Sequence, residues 1–339
     1  MENKELRVLE FYSGIGGMHY SLIEAGVPFQ VLQSYDINTN AILNYKHTFK
    51  KQTNQKNIES LSVEELSAYK SNAWLMSPPC QPFTRQGLQK DDQDNRTNSF
   101  FHLLDIMKQM QTPPEYILIE NVFGFESSNT RDTLIETLKL LNYSFQEFHL
   151  SPQSFGLPNQ RLRYFCIAKR SGTIFTGDDL IKYKDQVLLD HIPGYTHTKS
   201  MEECNAISYY LDSNLSEKES LEKYGVPNDL LLSKGMLFDI KTIDQKTSNC
   251  FTRSYGKFVE GTGSILQLDQ SKSAIADDPQ SLLNLKLRYF SPKEITRLHG
   301  FPESFTFSPN FSNVQCFRLI GNSLNVKIVS ELIKLLYSK

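Results

Sequence analysis

Three short segments carry residue types that together can do covalent chemistry. In Pro78-Pro79-Cys80-Gln81, two prolines precede a cysteine, and a backbone fixed that way suits a nucleophile that must be held in place. Glu120-Asn121 follows the apolar run Tyr116-Ile117-Leu118-Ile119, so a carboxyl stands where desolvation favours its protonated form. Gln160-Arg161-Leu162-Arg163 spaces two guanidiniums two residues apart; on an extended strand both fall on one face, opposite Leu162 and Tyr164. Taken singly, each has a plainer explanation. An isolated cysteine is most often an inert buried hydrophobe, Asn121 suits a helix cap, and paired arginines are usually surface residues. Taken together, they supply a thiolate that can add to a ring, an acid for a ring nitrogen, and a cation that favours the thiolate and holds the base.

The elements that must position these residues are legible in the first half of the chain. Short apolar runs alternate with helix-like segments, the pattern of a βαβ sheet. Leu6–Phe11 is expected as a first strand, then a glycine turn and a helix near Met18–Ala25; Phe29–Tyr35 is expected as a second strand, with a helix from Thr39. Trp74–Met76 and Tyr116–Ile119 read as buried strands, the latter ending at Glu120; Ser99–Met110 and Thr130–Leu141 read as helices. Ser144–Leu150 and Arg163–Ala168 complete the set. Pro78-Pro79-Cys80 thus emerges at the carboxyl edge of a sheet, where ligands bind in open α/β folds.

The glycine turn is Phe11-Tyr12-Ser13-Gly14-Ile15-Gly16-Gly17. Glycines let the backbone turn tightly and approach a ligand while helix-start N–H groups face outward. Asp36 closes the next strand, 22 residues after Gly14, in place to accept hydrogen bonds from ribose hydroxyls. A nucleoside-bearing cofactor follows, either a nicotinamide dinucleotide or S-adenosylmethionine, since the glycines depart from the GxGxxG spacing.

Bulk properties set the frame. With 39% hydrophobic and 22% charged residues among 339, the chain reads as a globular enzyme, and no apolar run approaches the roughly 18 residues of a membrane span. Met1–Arg7 carries no signal-peptide pattern. Five cysteines, at positions 80, 166, 204, 250 and 316 and without a CxxC pair, argue against a disulfide framework or a zinc site and for a reducing compartment, cytoplasm or nucleus. A net charge of −2 means that any nucleic-acid affinity must come from a local basic patch. From about Arg170 the character changes to polar, irregular segments, with a charge run at Glu217–Lys223 that reads as a solvated helix face; compact motifs resume near Ser291. The expected organisation is a catalytic domain in two pieces, 1–170 and 286–339, around an inserted domain, 171–285.

These segments fit one reaction well. Carbon-5 of cytosine is too weak a nucleophile to take a methyl group from a sulfonium unaided. A thiolate adding at carbon-6 makes an enamine whose carbon-5 can attack the methyl, with a protonated carboxyl at nitrogen-3 stabilising the developing charge.

In this order the motifs resemble the cytosine carbon-5 methyltransferases: Phe11–Gly17, Pro78–Gln81, Glu120-Asn121-Val122, Gln160–Arg163, Arg297–Pro302 and Gly321-Asn322-Ser323-Leu324. The resemblance covers nearly the whole chain. It implies an α/β fold, a Rossmann-like mixed sheet of the S-adenosylmethionine-dependent methyltransferases with a smaller inserted target-recognition domain. Cys80, Glu120, Arg161 and Arg163 are then catalytic. Ser13, Gly14, Ile15, Gly16, Gly17 and Asp36 bind the cofactor, together with Ile58, Glu59, Pro78 and Ser99. Asn322 and Ser323 close the cofactor pocket. Within the family the chain is most similar to the tRNA-directed branch, on Cys250-Phe251-Thr252, Tyr255-Gly256-Lys257 and Glu260–Ser264 of the insert. That branch methylates an anticodon-loop cytosine of aspartate tRNA, position thirty-eight, which implies little or no duplex DNA activity and neither membrane nor metal. Gln81, Asn121, Cys250, Thr252, Arg253, Tyr255 and Lys257 are the expected RNA or base contacts, with Tyr255 either a stacking surface or a core residue. Asp36 departs from the Glu of most DNA enzymes. Competing readings are a DNA cytosine-5 methyltransferase, a catalytically silent nucleic-acid-binding protein and a nicotinamide dehydrogenase; the last leaves Pro-Pro-Cys and Gln-Arg-x-Arg without roles.

Overall fold

In a computed structural model of the chain, which describes residues 5–79, 97–175, 179, 182, 187–198 and 200–338, the near-continuous apolar runs become strands covered on both faces, as parallel sheets require. They are β1 (Leu6–Phe11), β2 (Phe29–Tyr35), β3 (Ala73–Met76), β4 (Tyr116–Val122), β5 (Ser144–Leu150), β6 (Arg163–Lys169) and β7 (Leu188–Leu189). The sheet order is β2-β1-β3-β4-β6-β5-β7. β2, β1, β3 and β4 run parallel to one another, whereas β6 is antiparallel to both β4 and β5. The helices between are α1 (Gly17–Ala25), α2 (Thr39–Phe49), α3 (Val63–Ala68), α4 (Asn98–Gln109) and α5 (Asn129–Leu140).

Local chemistry sets the boundaries. Gly16 precedes α1 with φ 87°, a left-handed conformation, and a Cβ there would lie 2.2 Å from the Phe49 ring; glycine is required on both counts. The Asn38 side chain accepts from the amides of Asn40 and Ala41 and so caps α2. Trp74, Phe100, Leu103, Leu104, Met107 and Leu134 fill the core beside the sheet. A buried Glu147 receives the Arg131 guanidinium and, at 2.7 Å, the Tyr164 hydroxyl, fixing β5 and β6 together.

One boundary differs from the sequence expectation. β4 does not stop at Glu120 but continues through Val122, because β6 pairs with it as far as Val122↔Arg163.

The chain divides into two compact units, one from Met1–Leu150, Leu162–Thr196 and Val326–Lys339, the other from Ser151–Arg161 and His197–Asn325. In the first, the C-terminal helix Val326–Tyr337 meets α1 through the Ser21 hydroxyl, which lies 3.1 Å from the Val326 carbonyl. The second holds a three-stranded sheet, β10-β9-β8, of β8 (Asp239–Lys241), β9 (Ser264–Gln267) and β10 (Leu287–Tyr289). Its helices are α6 (Glu217–Tyr224), α7 (Asn228–Lys234), α8 (Pro292–Leu298) and α9 (Asn313–Gly321). Capping boxes at Ser216/Glu219, Ser291/Glu294 and Ser312/Gln315 start three of them. Arg288 and Glu294, both buried, pair at 2.8 Å through both guanidinium nitrogens, which ties α8 to β10.

Candidate active site

The glycine turn and Asp36 come together as the spacing demands. The Gly14 N–H donates to Asp36 Oδ2 at 2.7 Å, and Asn38 N–H donates to Oδ1 at 2.7 Å. Burial pushes the Asp36 carboxyl up from its ordinary range, against hydrogen bonds from the Asn38, Gly14 and Ile37 amides. A carboxylate retains further lone pairs for ribose hydroxyls after accepting two bonds. Around this edge the residues present fit a nucleoside cofactor. Among the described residues the buried Ser13 hydroxyl has no hydrogen-bond partner, and none lies within 4 Å of the Cβ direction at Gly14. Ser99 sits in the same unit, its hydroxyl 3.0 Å from that of Tyr12. Ile15 and Ile58 are buried, Ile58 within the main core and opening the 3-10 turn Ile58–Ser60, while Glu59 is exposed.

Ile37 was not singled out from the sequence. It directly follows Asp36 and is 70% exposed, an apolar face beside the carboxylate that suits a flat purine. An apolar residue immediately after a strand-end acid was the available signal.

The second cluster lies at the ends of β3, β4 and β6. Glu120 is 7% exposed, and its Oε2 accepts the Ser77 hydroxyl at 2.6 Å. Its Oε1 stands 3.7 Å from Arg163 Nε. Asn121 is buried, with Oδ1 taken by the Val122 amide at 2.8 Å and Nδ2 without a partner among the described residues, an amide donor available to a base. Ser77 is a further member that sequence reasoning missed; it stands three residues before Cys80 and joins that segment to Glu120. Pro78 is buried. Cys80 and Gln81 lie outside the described residues.

Arg161 does not share a strand face with Arg163, because β6 begins only at Arg163 and Arg161 belongs to the second unit. Its buried guanidinium donates to the carbonyls of Phe251 and Gly321, each at 3.2 Å, and to that of Ser323, with Cys250 Sγ at 3.3 Å. The Gln-Arg, Cys-Phe-Thr and Gly-Asn-Ser motifs are therefore held together by one side chain. The approach is close: a Cβ on Gly321 would fall 2.1 Å from the Thr252–Arg253 backbone. Asn322 caps α9 and is exposed.

Tyr255 is a core residue and not a stacking surface. It is 2% exposed, its ring packs on Phe251, Tyr289 and Phe317, and its hydroxyl donates to the Ser264 carbonyl at 2.7 Å while accepting from the Phe290 amide. The loop it anchors, closed by the Thr252 amide on the Thr262 carbonyl, exposes Arg253, Lys257 and Phe258. Lys257 Nζ lies 5.4 Å from the Phe258 ring centroid.

The sheet order and the glycine turn with its acidic partner define a Rossmann-like methyltransferase fold. The profile of the family described as C-5 cytosine-specific DNA methylase matches residues 6–338. A Dictyostelium discoideum relative named DNA (cytosine-5)-methyltransferase is 64% identical, covering 99% of this chain and 95% of its own. A Homo sapiens relative named tRNA (cytosine(38)-C(5))-methyltransferase is 40% identical over 98% of this chain and 99% of its own. The solved structure of Entamoeba histolytica methyltransferase EhMeth superposes with a TM-score of 0.84 at 34% identity, covering 98% of each chain. The chain belongs to the cytosine carbon-5 methyltransferase family.

Proposed function

We propose that the protein methylates carbon-5 of a cytosine in the anticodon loop of tRNA, with S-adenosylmethionine as donor and Cys80 as nucleophile. The observation that carries the chemistry is the Ser77–Glu120–Arg163 cluster, a buried carboxyl within reach of a hydroxyl just past β3 and a guanidinium at the start of β6. In this reading the Cys80 thiolate bonds to carbon-6 and the displaced ring electrons are met at nitrogen-3 by a proton from Glu120. Carbon-5 of the resulting enamine then takes the methyl group, which the cofactor supplies on an electrophilic sulfonium. Loss of the carbon-5 proton to a base and expulsion of the thiolate restore the aromatic ring, and nitrogen-3 returns its proton to Glu120. Arg163, in contact with Glu120, holds the base and balances charge as the carboxylate forms. The Asn121 Nδ2 donor is available to the base.

Two observations support tRNA. The human relative spans almost the same length and carries cytosine 38 of tRNA in its name. The insert presents Arg253 and Lys257 beside Phe258, whose ring is 57% exposed; cations for phosphates next to an open aromatic face suit unpaired bases. A loop cytosine is already unpaired, so extruding it costs less than the few kcal/mol of opening a duplex. Aspartate tRNA as the acceptor is implied by the family resemblance.

DNA is the second reading, favoured by the name of the 64% identical relative. Tritium transfer from labelled S-adenosylmethionine to purified tRNA species and to duplex DNA, run side by side, separates the two. Incorporation into aspartate tRNA far above DNA is expected. Efficient labelling of duplex DNA with none in tRNA overturns the substrate and leaves the cytosine chemistry standing.

A further inference from the structure

Glu10 is the one acidic residue of β1, and it is fully buried in the strand that leads into the glycine turn. Its Oε2 accepts the Tyr45 hydroxyl of α2 at 2.8 Å, and the His19 amide of α1 also faces the carboxyl. The Tyr45 oxygen lies 2.7 Å from His19 Nδ1. A phenol has one proton, so with Tyr45 donating to Glu10 the imidazole presents its Nδ1–H to Tyr45. The His19 ring in turn stacks on Phe49, with centroids 3.9 Å apart and planes within 2°. Phe49 is the ring that presses on Gly16. One chain of contacts thus joins β1 to α1, which starts at the glycine turn, and to α2, which starts just after Asp36.

We infer that Glu10, Tyr45 and His19 are a positioning network that holds the 13–17 turn and the Asp36 strand end in the geometry that receives the cofactor. This rests on the reading of that edge as the cofactor site. Among the described residues no lysine or arginine pairs with Glu10. Burial pushes its carboxyl up to about 8, with the charge of Asp36 adding and the Tyr45 and His19 hydrogen bonds opposing. Burial holds His19 down at about 4, with the charge of Lys51 adding. At neutral pH the Glu10–Tyr45–His19 network therefore carries little charge. Above about pH 8 Glu10 ionises, and a buried anion with no cationic partner among the described residues then stands against the charge of Asp36; the burial cost and that repulsion, opposed by the Tyr45 and His19 hydrogen bonds, strain the strand end and the turn.

The test is binding of S-adenosylhomocysteine to the full chain by calorimetry from pH 6.5 to 9.5, with melting temperatures recorded alongside. The variants are Glu10→Gln and Tyr45→Phe, with Asp36→Ala as the control on the site itself. Native affinity should fall about tenfold more than that of Glu10→Gln between pH 7 and 9.5, roughly one hydrogen bond's worth of binding. The ligand's own amine titrates equally in both and cancels. Tyr45→Phe should bind about tenfold more weakly at pH 7. If Glu10→Gln follows the native pH profile, or Tyr45→Phe binds as the native protein does, the network is overturned. If Asp36→Ala keeps native affinity, the cofactor-site reading fails, and the network's role with it.

Discussion

Replacing Arg161 with alanine removes the guanidinium that ties three segments of the second unit together. Its two terminal nitrogens donate to the carbonyls of Phe251, Gly321 and Ser323 and touch Cys250 Sγ. Each carbonyl left buried without a donor costs about 1–3 kcal/mol. Neighbouring losses do not add fully, so a net destabilisation of about 3–5 kcal/mol is expected, the range for breaking a buried charged network. Arg163→Ala is the contrasting change. That side chain donates to the Leu162 carbonyl and stands 3.7 Å from Glu120, a smaller set of buried acceptors than Arg161 serves, so its removal should cost less stability than that of Arg161. Methyl transfer by the same variant should nevertheless fall about a hundredfold or more, as for loss of a charged group at a reacting centre. Urea unfolding followed by circular dichroism gives the stabilities, and single-turnover methylation gives the rates. If Arg161→Ala unfolds within about 1 kcal/mol of the native protein while Arg163→Ala is the destabilised one, the division of roles is wrong.

Three further outcomes follow from the site. Cys80→Ala should abolish methyl transfer while leaving S-adenosylhomocysteine binding intact, and a target carrying 5-fluorocytidine should trap the native enzyme covalently, visible as a shifted band in denaturing gels; robust turnover by the alanine variant removes the mechanism. Glu120→Gln keeps the shape and one amide donor but has no proton to give, so the rate should drop by about a hundredfold or more at neutral pH, and a rate near native shows the carboxyl to be structural. Replacing both Arg253 and Lys257 with alanine should weaken tRNA binding and lower the slope of log affinity against log salt by up to about two units, with cofactor affinity unchanged; an unaltered slope places the RNA elsewhere.

What the sequence made legible is what local patterning controls. β1, β2 and β5 have the bounds expected of them; β1, buried along nearly its whole length, is mostly apolar, whereas β2 and β5 show themselves through apolar residues spaced among polar ones. Gly14 and Asp36 meet because a strand–turn–helix–strand unit leaves the second strand end little freedom. The misread residues depend on segments distant in the chain. Glu120 sits within β4 instead of at its end, because β6 extends the pairing. The alternation of Arg161 and Arg163 suggested one ligand-facing surface, but a guanidinium aimed at an anion and one aimed at backbone carbonyls look identical in sequence, since either answers a concentration of acceptors. Only the approach of Gly321 to Thr252 and Arg253 shows that Arg161 faces carbonyls. Tyr255, in a polar glycine-rich stretch, reads equally as a stacking or a core ring, and only Phe251 and Phe317, which bury it and leave the next aromatic, Phe258, in the open, decide for the core. Glu10 is the instructive case between these. A lone acid in an apolar strand is visibly out of place in the sequence, but its meaning needs Tyr45 and His19, which arrive from two different helices. Strand ends and the glycine turn were therefore readable from type and order, whereas the side chains that hold them in place were readable only once distant segments had been brought together.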